Sequence, residues 1–341
     1  MGEIDIRIAG RAGRITLQRP KALNAVTYGM VRAIHAALDE WRNDPAVALV
    51  VIDAEGEKAF SAGGDIADLY ATGTAGDFAF GQTFWRDEYR MNAAIAEYEK
   101  PIVSFLQGFT MGGGMGVGCH GSHRIVGETS QIAMPECGIG LVPDVGGSLI
   151  LAHAPGHLGA YLGTTGARMG PADAILAGFA DLFIPQAHWP ALIGALETSG
   201  DPQCLSEAAA PPPEGPLAAQ RAEIDLHFAL PDLPAVIASL EASETGFAAD
   251  TLKALRRSSP LSAAATLAMM PALKAATIRE ALALEYRFTF RAMEHGDFLE
   301  GIRAAIIDKD RTPRWRYTAD TLPTGAAETM LAPLGDNELT F

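Results

Sequence analysis

Two glycine-rich turns and three carboxylates carry the residue types in this sequence that can do chemistry. In AFSAGGDIADLY a strand-like run ends in Ala62, Gly63 and Gly64, and a helical pattern opens at Asp65. Backbone N–H groups at a helix start lack an intrahelical acceptor, so such a turn offers donors to negative charge. Read alone, the same residues also describe a tight turn capped by Asp65. Further on, Gly112, Gly113, Gly114, Gly116 and Gly118 follow another strand-like run. Interior helical glycine costs roughly 1 kcal/mol relative to alanine, so this backbone either packs tightly through small residues or is closely approached by something else. Two such turns can aim a pair of main-chain donors at one developing oxyanion, which is what acyl chemistry requires.

The acidic candidates are Glu136 and Asp144, eight residues apart in AMPECGIGLVPDVGG among apolar and glycine neighbours. Carboxylates in apolar surroundings gain proton affinity, and two in one pocket divide into one protonated and one ionised group, the condition for acid/base work. Asp144, beside Pro143 and close to Gly146, also fits an exposed turn. Glu88 enters by helical phase. Phe84, Glu88, Met91, Ile95 and Tyr98 fall on one face, so Glu88 sits in a stripe expected to be buried. It either snorkels at the edge of that stripe or faces a site.

Other chemistries lack their residues. GxSxG, SxxK, HExxH and GxxxxGK[ST] do not occur, which removes serine-elbow hydrolysis, zinc proteolysis and P-loop phosphate binding. His153 and His157 are separated by Pro155 and Gly156, so no helical two-histidine metal face is expected, and no metal. Gly116, Gly118 and Gly121 spell GxGxxG, with Glu136 beyond them. That nicotinamide reading fails on context, because HRIV begins at His123 and leaves no room for the crossover helix of a βαβ unit.

The elements that must position these residues alternate between strand and helix. Ile4, Ile6 and Ile8, then Ile15 and Leu17, predict two paired strands joined at the Gly10–Gly13 turn. Met30, Ile34, Leu38 and Trp41 predict a helix capped by Thr27 and ended before Pro45. ALVVIDAEG reads as a strand buried on both faces. A helix over 80–99, the strand PIVSFLQG, the glycine cluster, and the short strands HRIVG and QIAMPE follow. This predicts an α/β layered or spiral core over 1–199. Residues 200–220, with five prolines in GDPQCLSEAAAPPPEGP, are expected to be a connector, and 221–341 a helical C-terminal region. There Ile278, Leu282, Glu285, Phe288 and Met293 mark one long helix stopped at Gly296, and Asp297 with Glu300 reads as a capping box for the next.

Bulk composition narrows the class. With 341 residues and 48% hydrophobic content the chain can fill a sizeable core. Its 26 Lys and Arg against 41 Asp and Glu give a net charge of −15, and no basic run appears, which argues against a nucleic-acid partner. Cys119, Cys137 and Cys204 make neither a CxxC pair nor an even framework, and the N-terminal EIDIRI lacks the form of a secretion signal. The glycine-rich apolar stretch from Pro101 to Gly118 is a poor membrane span. A cytoplasmic protein with no membrane association is the expectation.

QRPKALNAVT, KAFSAGGDI, the GGG turn, MPE and GLVPDVGG, in this order, resemble the crotonase, or enoyl-CoA hydratase and isomerase, superfamily. Within it the chain is most similar to the 3-hydroxyisobutyryl-CoA hydrolase branch, through RDEY, TMGGGMG and the C-terminal HGDFLEGIRAAIIDKDRTPRW. The resemblance covers about Arg11 to Trp315 and is weakest over the prolines. It implies a crotonase-like ββα spiral core. It also implies that Gly64 and Gly113 present their N–H groups to a thioester oxygen, that Glu136 and Asp144 are the working carboxylates, and that Glu88 lines the substrate pocket with Gly63, Asp65 and Gly112. Coenzyme A is then part of the substrate, with no separate cofactor, and its phosphates would meet cations among Arg19, Lys21, Lys309 and Arg311.

The implied reaction is hydrolysis of a short 3-hydroxyacyl-CoA to the free acid and CoA, as in valine degradation. Whether Glu136 attacks or activates water stays open at this point. Hydratases of the superfamily carry a glutamate at the position held here by Gly116, and hydration needs two acidic groups around one water. Hydration or isomerisation of an enoyl-CoA remains the first alternative, and non-catalytic binding of a CoA ester the second. A homo-oligomer, a trimer or dimer of trimers, is common in the superfamily.

Overall fold

The computed structural model describes residues 2–341. Contacts divide the chain into two compact units, Met1–Asp65 with Asp87–Ala133 and Arg168–Gly215, and Ile66–Arg86 with Met134–Ala167 and Pro216–Phe341.

The first unit is built on nine strands: β1 (Ile4–Ala9), β2 (Ala12–Leu17), β3 (Leu49–Ala54), β4 (Ala59–Ser61), β5 (Ile102–Leu106), β6 (Phe109–Met111), β7 (His123–Val126), β8 (Gln131–Ala133) and β9 (Leu182–Phe183). One sheet runs β1-β2-β3-β5-β7-β9 and a second runs β4-β6-β8. After the antiparallel hairpin of β1 and β2, every pairing is parallel. From β3 to β9 the chain deposits strands alternately in the large and the small sheet, which is a ββα spiral. Parallel strands covered on both faces read as unbroken apolar runs. Leu49, Val50, Val51 and Ile52 of β3 and Ile102 and Val103 of β5 are accordingly fully or almost fully buried.

Helix α1 (Tyr28–Arg42) starts where expected. The Thr27 hydroxyl accepts from the Met30 amide at 3.2 Å, and Met30, Ile34, Leu38 and Trp41 form its buried face. Helix α2 (Ala67–Thr74) begins two residues after Asp65, with Ile66 at the N-cap. Helix α3 (Ala79–Ala96) precedes β5, and the six-residue α4 (Gly113–Gly118) follows β6.

The second unit is predominantly helical. Helices Gly147–His153 and Leu158–Thr165 pack against Pro260–Leu273. The long helix Ile278–His295 ends at Gly296, as the sequence predicts, and opens with a capping box between Thr277 and Glu280. The capping box expected at Asp297 and Glu300 does not form. Asp297 instead accepts from the Ser259 hydroxyl at 2.6 Å and the Arg316 amide at 2.8 Å, while Glu300 binds Arg303 and the Arg314 amide.

Contacts also group the chain differently from the linear division at 199 and 221. Segments 66–86 and 134–167 join the C-terminal helices. Residues 168–215 return to the first unit because β9 pairs with β7 and Met169 bridges Ile132. The proline-rich stretch has two parts: 209–216, with four of its five prolines, has no helix or strand and contains the boundary between the units, whereas the part before it is packed. That earlier part holds the helix Gln203–Ala208, whose Leu205 is buried among Leu49, Val103 and Phe105.

Candidate active site

In the first unit the two glycine turns converge. Gly64 faces Val26 in a parallel bridge. Val26 donates to the Gly63 carbonyl at 2.9 Å and Asp65 donates to the Val26 carbonyl at 2.8 Å, so the bridge uses the groups either side of Gly64 and leaves its own N–H without a protein acceptor. Gly113 is the first residue of α4, where a helix provides no acceptor either, and none other is placed on it. A Cβ added at Gly113 would lie 3.1 Å from the Gly64 nitrogen and 2.9 Å from Oε1 of Glu88. Both turns need glycine: Gly63 holds φ 126°, and Gly112 holds φ 47° with ψ −126°.

Glu88 takes the inward alternative that its helical phase allowed, at 3% exposure on α3. One helical turn on, Asn92 is fully buried with both amide atoms lacking a protein partner. Nothing local marks Asn92, because an asparagine in a helix reads as surface. Asp65 is held by Arg19 at 2.9 Å, which also binds Glu3, so neither residue caps α2 or stands free for a phosphate. Gly63 spends its own amide on the Ser61 hydroxyl at 3.3 Å. The α4 segment GGMGVG is buried throughout and carries no acid, Gly116 included.

The second unit gathers the carboxylates. Glu136 opens the tight turn Glu136–Ile139, and it and Asp144 are each 4% exposed, so Asp144 is not in a solvated turn. Glu285, on the buried face of Ile278–His295, joins them at 0% exposure. Burial, reinforced by the charge of Asp144 and then that of Glu285, holds the Glu136 carboxyl well above the ordinary carboxylate range. Glu136 Oε2 has no hydrogen-bond partner. Burial also pushes Glu285 up to about 8, opposed by the Ser148 hydroxyl and aided by the charge of Asp144. Such a group retains a proton near neutrality.

Glu285 is the acidic residue that sequence reasoning missed as a functional candidate. It served there as a marker of a helical stripe, although the phase argument that singled out Glu88 applies to it equally. Cys137, next to Glu136, is no rival nucleophile. Burial pushes its thiol up to about 12, and its sulfur sits 3.3 Å from the Thr266 hydroxyl. All three cysteines are free. No group of His, Cys, Asp and Glu among the described residues could hold a metal ion.

The candidate cations have different surroundings. Lys21 lines a pocket with Glu55, Glu57 and Lys58, so two carboxylates compete for its charge. Lys309 and Arg311 lie in an exposed loop, both at left-handed φ (58° and 55°). Arg311 lines a pocket of about 500 Å³ with Arg256, Arg257 and Trp315, and no acidic residue lines it.

A parallel ββα spiral with two acceptor-free glycine amides defines a class, and residues 12–327 match the family described as enoyl-CoA hydratase/isomerase. The chain belongs to this family, the crotonase superfamily. It is 39% identical over 325 residues to the mitochondrial 3-hydroxyisobutyryl-CoA hydrolase of Xenopus tropicalis, covering 92% of this chain and 84% of that protein. The Homo sapiens protein of the same name is 35% identical over 325 residues with the same coverage. Among solved structures, the chain is 61% identical to one described as an enoyl-CoA hydratase from Rhodobacter sphaeroides 2.4.1, with TM-score 0.96 over 100% of both chains. A carnitinyl-CoA dehydratase from Mycobacterium thermoresistibile is 38% identical, with TM-score 0.95 over 100% of this chain and 99% of the other. No helix among the described residues is long and apolar enough to cross a membrane.

Proposed function

We propose that this protein hydrolyses the thioester of a short 3-hydroxyacyl-CoA, with 3-hydroxyisobutyryl-CoA as the principal substrate, giving 3-hydroxyisobutyrate and CoA in valine degradation. In this reading the Gly64 and Gly113 amides polarise the thioester carbonyl and hold the oxyanion as the tetrahedral intermediate forms. Glu136, once deprotonated, takes a proton from water as the water oxygen adds to the carbonyl carbon. The C–S bond then breaks and the proton passes from Glu136 to the departing sulfur. Asp144 binds the 3-hydroxyl and, by its charge, keeps the proton affinity of Glu136 high. Glu88 and Asn92 line the acyl side of the amide pair. CoA enters as part of the substrate, so no separate cofactor is needed.

The observation that carries hydrolysis over hydration is α4. The glycine triplet leads into Gly116, and the helix bears no carboxylate to share a water with Glu136. Support for the acyl group comes from the hydrolases named above, each 35–39% identical over 92% of this chain. For the CoA phosphates, the pocket of Arg257 and Arg311 beside Trp315 is better furnished than that of Lys21, since no acid lines it, and its third guanidinium, Arg256, is already paired with Glu241 at 2.6 Å. The free thiols fit a reducing compartment.

A second reading, hydration of an enoyl-CoA, is favoured by the description of the 61% identical structure as an enoyl-CoA hydratase. Thiol release across a panel of short acyl-CoA esters tests the proposal. 3-Hydroxyisobutyryl and 3-hydroxypropionyl esters should turn over fastest, and Glu136→Gln should abolish turnover while retaining ester binding. A panel that releases no thiol from any hydroxyacyl ester ends the hydrolase reading.

A further inference from the structure

We propose that Glu285 is a positioning residue for this hydrolysis: its buried carboxyl clamps the turn Asp144–Ser148, fixes Val145 in a left-handed conformation and thereby presents Asp144 beside Glu136. The inference rests on the hydrolase reading and adds a residue to it.

The turn itself shows why a clamp is needed. Val145 has φ 53° and Gly146 follows at φ 82°. A β-branched residue at positive φ is an outlier that persists only where its surroundings determine it. Three donors of this turn converge on one distant carboxyl. The Gly146 amide donates to Oε2 of Glu285 at 2.9 Å, the Ser148 amide donates to Oε1 at 3.3 Å, and the Ser148 hydroxyl donates to the same Oε1. Gly146 and Ser148 are buried, so without Glu285 these donors would have no water to turn to.

The cost of placing a carboxyl there points the same way. Glu285 is fully buried on a helix face otherwise made of Ala281, Leu282, Phe288, Thr289 and Ala292. Packing that face would need only an apolar side chain, whereas satisfying three donors needs an acceptor with two oxygens. The result bears on chemistry because the turn it holds begins at Asp144, whose charge acts on both Glu136 and Glu285.

The other ionisable groups around Glu285 are few. Of the helices packed against its own, Pro260–Leu273 carries no ionisable side chain. His153 of Gly147–His153 and Glu328 of Ala326–Leu331 are exposed, and Glu300 of Phe298–Ile302 is paired with Arg303 at 2.8 Å. Asp144 and Glu136 are therefore the groups that exchange charge with it.

Glu285→Gln and Ser148→Ala test the clamp. Glu285→Gln keeps the shape but replaces one acceptor oxygen by an NH₂ group that cannot accept. With the 3-hydroxyacyl ester, it should lower kcat by about 10²-fold, the loss expected from a catalytic group displaced by about 1 Å, at a KM within a few-fold of wild type. Its pH profile should differ from wild type only toward about pH 8 and above, where Glu285 gives up its proton and adds a negative charge that the amide cannot supply. Ser148→Ala leaves both clamp amides in place and should give a smaller fall in kcat at unchanged KM. Hydrogen exchange reads the clamp without substrate, and the amides of 144–148 should exchange faster in Glu285→Gln. If both variants fold and keep wild-type kcat and pH profile, the positioning role is overturned, whatever happens to Tm. If wild-type protein releases no thiol while exchange at 144–148 still depends on Glu285, the clamp stands and the hydrolase reading fails.

Discussion

The Gly64 amide nitrogen lies 3.1 Å from the point where a Cβ on Gly113 would sit. That proximity makes the two turns one device. A bridge skips the N–H of Gly64, a helix start frees that of Gly113, and the missing side chain leaves room for a carbonyl oxygen.

Alanine at two adjacent glycines should separate activity from folding. Gly113→Ala puts a methyl group 2.9 Å from Oε1 of Glu88 and 3.1 Å from the Gly64 nitrogen, so kcat/KM for thioester hydrolysis should fall by roughly 10²-fold or more, a loss far larger than the modest fall in Tm that turning the end of the Glu88 side chain aside would cause. Gly112→Ala puts a side chain at φ 47°, ψ −126°, and should lower unfolding free energy by about 1–3 kcal/mol in a denaturant titration.

The pH profile should report Glu136. Since burial and Asp144 raise its proton affinity, kcat should rise with pH through an apparent pKa above the ordinary carboxylate range. Asp144→Asn removes a negative neighbour, so that midpoint should move to lower pH even as kcat itself drops by about 10²-fold. A midpoint unmoved by Asp144→Asn would mean the two groups do not act on each other.

Stability should run the same coupling in reverse. Glu136 and Glu285 bind protons more tightly folded than unfolded, where a glutamate titrates near 4.5. Their protonation stabilises the fold below that value, and the benefit is lost as pH rises through the folded pKa, about 8 for Glu285. Unfolding free energy measured in urea should therefore decline between pH about 4.5 and about 8, and Glu285→Gln should flatten the decline, with no sign reversal.

The arginine pocket predicts a difference between two esters of the same acyl group. Arg311→Gly suits the left-handed backbone at φ 55° and removes the charge. It should raise KM for the CoA ester roughly tenfold, the equivalent of one charge-assisted hydrogen bond, and leave KM for the pantetheine ester unchanged. Equal effects on both esters would place the CoA phosphates elsewhere.

Much of this was legible in the sequence because it is local. The hairpin at Gly10–Gly13, the Thr27 cap, the β3 run and the Glu88 stripe each follow from a few neighbouring residues. Asn92 and Glu285 were not legible, since a polar residue in a helix declares a role only through partners far along the chain. Glu285 meets Gly146 and Ser148 across more than a hundred residues. Asp297 failed for the same reason. It had the type and spacing of a cap, but Ser259 and Arg316, brought in by tertiary packing, had the stronger claim on its oxygens. The division into units followed from the pairing of β9 with β7, which no composition shift announces.

Whether Gly116 excludes hydration is decided by giving one preparation two substrates, 3-hydroxyisobutyryl-CoA with a thiol reagent and crotonyl-CoA with its conjugated absorbance. Hydrolysis without hydration gives rapid thiol release from the first and essentially no loss of absorbance from the second. Rapid loss of crotonyl absorbance with no thiol released from the hydroxyacyl ester would contradict it.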